Sequence, residues 1–426
     1  MMAFVASIAL GIAAQATGAV EPRQVTDRIA RAIEEHYFDP AAGARAASAI
    51  REEAARGAFD RMAAQQLANS LTARLERYDR HFAVSYAPPS EAGQEAGGAA
   101  PSAYGPEEMD RRSGYGFRDV GVLPGNVGYI DLRTFAPIDF ADANWPARRA
   151  ADGALMLMAR TDALIVDLRH NNGGDPSMVG YLVSAFVEPG RDVYNVFHAR
   201  AGQRSERPET PWAGPRLAMP VYILISARTG SAAEAFAYTL QAAGRATVIG
   251  ETSAGAANPG GSVPVGDGWQ VFVAAATPIN PVTGRNWEGT GVAPDVAIPA
   301  AGALVSARIA ALEAVLPGLP AAERPDAELT LEALRAGARP GQASDLDAFA
   351  GTFEDLSVMQ EGGQLSVRTG RRLPAALGRL SQDLFYSVDA PSTRYEFRRD
   401  SAGQVTSVEV RWIDGTRAEY RRGAAG

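Results

Sequence analysis

A chain of 426 residues, 46% hydrophobic and 21% charged, is long enough for two or three domains and has the composition of a soluble globular protein. Its net charge of −8 and the lack of any basic run argue against nucleic acid as a partner. It contains no cysteine, and all 41 basic residues are arginine, so disulfides, thiolate sites, Schiff-base lysines and Ser/Lys dyads are excluded.

The apolar run from Ala3 to Ala14, followed by Ala14-Gln15-Ala16, predicts a signal peptide over 1–19, although no Lys or Arg precedes the run. A periplasmic or secreted protein with no integral membrane span after signal removal is expected. Val25, Ile29 and Ile33, then Leu67, Leu71 and Leu75, recur at four-residue spacing and predict a helical domain over 20–87. Residues 88–116, rich in Pro, Gly, Ala, Ser and Glu, read as a flexible connection.

From 117 to 318 apolar strands alternate with helical segments. Strands are expected at Val127–Leu132, Ala163–Leu168, Val221–Ser226, Ala246–Gly250 and Gln270–Ala275; helices are expected at Ala147–Arg160, Ser177–Phe186, Ala232–Ala243 and Ala303–Leu316. The pattern predicts an α/β core with a largely parallel sheet covered on both faces. A Pro/Ala-rich linker over 319–345 precedes short strands with turn signals at Gly362-Gly363 and Asp414-Gly415, which predict a small antiparallel β domain over 346–426.

Two segments carry chemistry. In Thr229-Gly230-Ser231-Ala232-Ala233-Glu234 a buried strand runs into a helix with Ser231 at the bend, where unpaired N–H groups and the helix dipole favour an oxyanion. An ordinary N-cap serine fits the same pattern. Asp167-Leu168-Arg169-His170-Asn171-Asn172-Gly173-Gly174 follows another strand, and its paired glycines suit either an anion-binding nest or a tight turn.

The order of these two segments with Asn126-Val127-Gly128-Tyr129-Ile130 before them, and Gly250-Glu251-Thr252-Ser253-Ala254-Gly255 and Gly289-Thr290-Gly291-Val292-Ala293-Pro294-Asp295 after them, resembles peptidase family S41. The resemblance spans roughly residues 25 to 300. It implies a ClpP/crotonase-like core and makes Ser231 the candidate nucleophile of a serine-type peptidase. Lacking lysine, with Gly255-Ala256-Ala257-Asn258-Pro259 after the Gly-Glu motif, the chain is more similar to the retinoid-binding and tricorn branch than to the Ser/Lys processing proteases. That branch uses a histidine from the helical region and a glutamate near the end of the core; His81 in Asp79-Arg80-His81-Phe82 and Glu288 before Gly289 match them.

The resemblance therefore implies acyl transfer to Ser231 with His81 as base and Glu288 orienting His81 or a bridging polar group. The oxyanion donors would be the N–H groups of Ala232 and of Gly173 or Gly174. A peptide or unfolded protein would bind extended between helical domain and core, with no cofactor or metal. His170, Asn258 and Ser253 are candidate substrate contacts, though turn formation explains Asn258 and Ser253 as well. Glu234 reads as one end of a structural salt bridge, and Asp167 and Arg169 as supports of the glycine loop. A binding protein of the same fold, or a hydrolase acting on a small ester, are the alternatives.

Overall fold

The computed structural model describes residues 21–87, 106–338 and 345–423, so the expected signal peptide and most of the 88–116 connection lie outside the described residues. The described chain divides into two compact units. One comprises residues 21–87, 198–202 and 258–277; the other holds the remainder.

The first unit begins with helices Pro22–His36, Pro40–Ala55 and Ala64–Leu75. Proline opens the first two, where its missing N–H has no helical acceptor to lose, and Asp39 caps the second by accepting from the Ala41 and Ala42 N–H groups. Val25, Ile29, Ile33, Leu67, Leu71 and Leu75 are all buried, as their spacing requires. They pack with the antiparallel strands Ala83–Tyr86, Trp269–Ala274 and Gly260–Gly266, with Trp269–Ala274 in the middle. The strand expected at Gln270–Ala275 in the parallel core is instead Trp269–Ala274 and forms a hairpin in this unit. Its turn is Asp267-Gly268, both at positive φ, which matches the right-handed twist of paired strands.

The second unit is built on a six-stranded sheet in the order Val296–Ala297, Ala246–Gly250, Val221–Ile225, Ala163–Asp167, Val127–Leu132, Phe117–Leu123. All neighbours are parallel except the last pair. Side chains alternate along each strand: Leu164, Val166, Val221, Ile223 and Ile225 meet helices Pro146–Met158, Pro176–Ser184 and Ala232–Ala242. Ala163, Ile165, Tyr222 and Leu224 meet helix Ala300–Val315 and helix Arg324–Gly337 on the other face. Both faces are thus covered, as a parallel sheet requires. The segment Ala300–Gly318 is long and apolar enough to cross a membrane, but Ala303, Ala307, Ala311 and Leu312 are buried against the sheet.

Two segments expected to be irregular are helical. Pro106–Arg112 carries Glu107 and Glu108 in its first turn and Arg111 and Arg112 in its last, complementing the helix dipole. Arg324–Gly337 lies inside the expected linker and buries Ala327, Thr330 and Leu331 at helical spacing. The β domain from 351 onward has eight antiparallel strands in sequential order. A bridge from Phe353 to Arg422 nearly closes this sheet into a barrel. Phe349, Phe353, Phe385 and Phe397 fill it with edge-to-face contacts.

A buried polar cluster ties helix Ala232–Ala242 to the segment around 193–206. Asn195 donates to Thr239 Oγ1 (3.1 Å) and to Glu206 Oε2 (2.9 Å), and accepts from Asn280 (3.0 Å). Burial pushes the Glu206 carboxyl up to about 8, against the opposing Asn195 hydrogen bond. The folded state therefore keeps a proton that the unfolded chain releases near 4.5, and stability falls as pH rises from there through about 8. Glu206→Gln, which keeps the neutral shape, should melt with the wild type near pH 5 and several degrees above it near pH 9 in thermal scans. Equal melting at both values would mean that Glu206 is already ionised in the native state.

Candidate active site

Strands Ala163–Asp167, Val221–Ile225 and Ala246–Gly250 are adjacent and parallel, so the loops after them leave the same edge of the sheet side by side. Short polar side chains bind these loops together. Thr229 Oγ1 donates to Leu168 O (2.8 Å) and accepts from Ser226 N–H (2.9 Å), while Ser226 Oγ donates to Arg169 O (2.6 Å). Gly230 N–H reaches Asn171 O (3.1 Å), and Ala254 N–H reaches Thr229 O (2.9 Å).

At the end of the second loop Ser231 is exposed and has φ 53° and ψ −121°, a conformation rare for a residue with a Cβ. Its hydroxyl does not cap the helix that follows. Its N–H donates to Glu234 Oε2 at 2.8 Å, so the backbone is held from the helix side.

Gly173 and Gly174 take φ values of 121° and 139°. A Cβ on Gly173 would lie 2.7 Å from the Ser231 Cβ, and one on Gly174 would lie 2.2 Å from Phe135 O, so both positions require the bare backbone. Buried Asn171 fixes the loop: its Nδ2 donates to Leu132 O (3.0 Å) and its Oδ1 accepts the Gly173 N–H (2.8 Å). Of the expected oxyanion donors, Gly173 is therefore already engaged. Among the described residues no protein acceptor takes the Gly174 or Ala232 N–H. Asp167 and Arg169 form a two-pronged ion pair, with Arg169 also donating to Ala300 O (2.7 Å) and Tyr129 to Asp167 (2.9 Å). Burial opposes ionisation of Asp167, but the Arg169 hydrogen bonds outweigh it and hold its carboxyl below the usual range.

Glu234 is fully buried, and among the described residues it pairs with no cation, contrary to the expected salt bridge. Its carboxylate accepts from Ser231 N–H (2.8 Å), Ser253 Oγ (2.5 Å), Gly255 N–H (2.6 Å) and Ala256 N–H (2.9 Å). Ser253, a candidate substrate contact from its sequence position, is itself buried; its hydroxyl donates to Glu234 and accepts from Val292 N–H (2.7 Å). It is part of the scaffold. Asp295 completes the last motif by exchanging two hydrogen bonds with Val248, each 2.8 Å.

The second unit thus gathers Ser231, Ala232, Gly173, Gly174, Glu234 and Ser253. Glu288 lies in the same unit on the loop after buried Trp287, half-buried, with Oε2 accepting the Ala257 N–H (2.9 Å). His170 is exposed on the glycine loop. His81 and Asn258 belong to the first unit. There His81 Nδ1 bonds Asp79 Oδ1 at 2.9 Å, the same oxygen accepts the His81 N–H at 2.8 Å, and Tyr37 Oη donates to Asp79 Oδ2 at 2.9 Å. The two-residue spacing in Asp79-Arg80-His81 lets one carboxylate reach both the ring and the main chain of the histidine.

Residues 126–298 match the family profile of peptidase family S41. Over that span the chain is similar to peptidase family S41. A carboxy-terminal-processing protease of Bartonella bacilliformis is 28% identical over 189 residues, 41% of this chain and 39% of that protein, so the match spans about two fifths of the relative's length. Among solved structures, a lipoprotein from Streptococcus agalactiae aligns with 73% of this chain and 100% of its own at 14% identity and TM-score 0.46. A photosystem II D1 C-terminal processing protease aligns with 66% and 94% at 18% identity and TM-score 0.41.

Two substitutions test the geometry around Ser231. Gly173→Ala should leave the melting transition cooperative yet abolish labelling of Ser231 by a fluorophosphonate, because the new methyl meets the serine Cβ. Glu234→Gln replaces one acceptor oxygen by an NH2 group that faces N–H donors. It should lower stability by about 2–3 kcal/mol in denaturant titrations and reduce labelling too. Wild-type stability for Glu234→Gln would refute the hub role of this carboxylate.

Proposed function

We propose that the chain is an exported serine-type peptidase that hydrolyses peptide bonds through an acyl-enzyme on Ser231. The observation that carries this reading is the Ser231 conformation. A non-glycine residue held at positive φ, exposed at a strand-to-helix bend beside an obligatory glycine, is the arrangement that presents a hydroxyl for attack rather than for capping. His81 is the general base and then the general acid, and Glu288 is the accompanying acid named by the family pattern. The N–H groups of Ala232 and Gly174 stabilise the tetrahedral oxyanion, since Gly173 already donates to Asn171. Each such donor is typically worth about 3 kcal/mol in the transition state.

The missing lysine favours the histidine-using branch of the family over the Ser/Lys processing proteases. The substrate is an extended peptide or unfolded protein; the curated relative is named for carboxy-terminal processing, which supports a peptide substrate. Main-chain hydrogen bonding to an extended substrate would allow varied side chains. The N-terminal apolar run supports export, which places the activity in the periplasm or outside the cell.

Fluorophosphonate labelling of the full chain is the decisive measurement. Wild-type protein should be modified at Ser231, Ser231→Ala should not be modified, and His81→Ala should lose labelling while keeping its melting temperature. Failure of folded wild-type protein to react would overturn the activated serine. Undiminished labelling of His81→Ala would remove His81 as the base and direct attention to His170.

A further inference from the structure

His81 depends on a neighbouring group that the family pattern leaves without a role. An imidazole acts as a base toward a hydroxyl only if one ring nitrogen carries its lone pair toward that hydroxyl, and the other nitrogen's partner decides which tautomer is present. In the first unit that partner is Asp79, bonded to His81 Nδ1 at 2.9 Å. The same Oδ1 accepts the His81 backbone N–H at 2.8 Å, closing a local ring that fixes the side chain and main chain together. The other oxygen accepts from the Tyr37 hydroxyl at 2.9 Å. Phe82, next in sequence, is buried, with its ring centroid 5.0 Å from that of Tyr37, and the Phe272 ring lies 6.3 Å from the imidazole.

Resting on the proposed base role of His81, we propose that Asp79 is the positioning carboxylate of His81, with Tyr37 holding Asp79 in place. The Nδ1 proton is directed to Asp79, so the basic lone pair sits on Nε2. When the ring takes a proton from the nucleophile, the imidazolium forms beside a fixed negative charge. Asp79 itself takes up no proton: one N–H···O bond is kept throughout, and the transferred proton is held on Nε2. The charge state agrees with this. Burial opposes ionisation of Asp79, but the His81 and Tyr37 hydrogen bonds outweigh it and hold its carboxyl below the usual range. In the first unit Asp79 bonds the ring and Tyr37 bonds Asp79, donating while neutral.

The test is the pH dependence of fluorophosphonate labelling in wild type, Asp79→Asn, Tyr37→Phe and His81→Ala, with melting temperatures recorded for each full-length protein. Asp79→Asn is expected to slow labelling by about 10²–10⁴-fold, as loss of a tautomer-fixing carboxylate does in serine hydrolases. It should also move the acid limb of the profile to lower pH, because the imidazolium loses its neighbouring charge. Tyr37→Phe, which keeps the carboxylate but removes one donor, should give a smaller loss in rate. A merely structural role would lower stability without moving the limb. If Asp79→Asn labels at the wild-type rate with an unmoved limb while His81→Ala does not label, the positioning role is refuted and the base role stands. If His81→Ala also labels like the wild type, both fall. Should Asp79→Asn fail to fold, an unchanged profile in Tyr37→Phe together with a wild-type rate would count against the proposal.

Discussion

The arrangement around Ser231 depends on one buried carboxylate. Glu234 has no exposed surface, and four donors converge on it from three places in the chain: the bend at Ser231, Ser253, and the N–H groups of Gly255 and Ala256. A carboxylate is isolated from water only at large cost unless several N–H or O–H groups replace its hydration, and charge-assisted bonds to backbone donors do so with fixed geometry. The consequence runs toward chemistry. Glu234 sits one helical turn after Ser231 and takes the Ser231 N–H, so the helix start is closed from its own first turn. The serine hydroxyl is released from capping and the backbone is held at positive φ.

The parallel sheet supplies the second half of the construction. Adjacent parallel strands end at the same edge, so the loops following 167, 225 and 250 are neighbours without any long-range steering. Thr229, Ser226 and Asn171 then join loop to loop through backbone carbonyls and N–H groups. Each is a short polar side chain that can satisfy main-chain groups where no ladder continues. Gly173 and Gly174 are where two backbones come too close for any side chain, and the closeness to Ser231 and to Phe135 explains both.

In the first unit the same economy of local bonds acts on His81. Asp79 lies two residues away, reaches both the His81 backbone and its ring, and is held by Tyr37 from the first helix region. A carboxylate bonded at Nδ1 holds the ring in orientation and favours the tautomer with its proton on that nitrogen. The buried Phe82 anchors the segment that carries it.

Much of this was written in the order of residues. Core strands were marked by short continuous apolar runs alternating with helical segments, and the N-terminal helices by four-residue spacing, a period set by helix geometry. The lack of lysine and cysteine removed whole chemistries outright. The ordered glycine, serine and glutamate motifs marked the loops that meet at the sheet edge. Tertiary structure alone decided partners. The Asp267-Gly268 hairpin is a local signal, yet only packing assigned it to the first unit rather than to the parallel sheet. Glu234 looked like half of an ion pair because an acid in a helix usually faces water, and only burial among backbone donors made it a hub. Ser253 was drawn into that hub for the same reason. Periodicity is a property of one segment and can be read from it, whereas hydrogen-bond partners and burial belong to pairs of segments and exist only after the chain has packed.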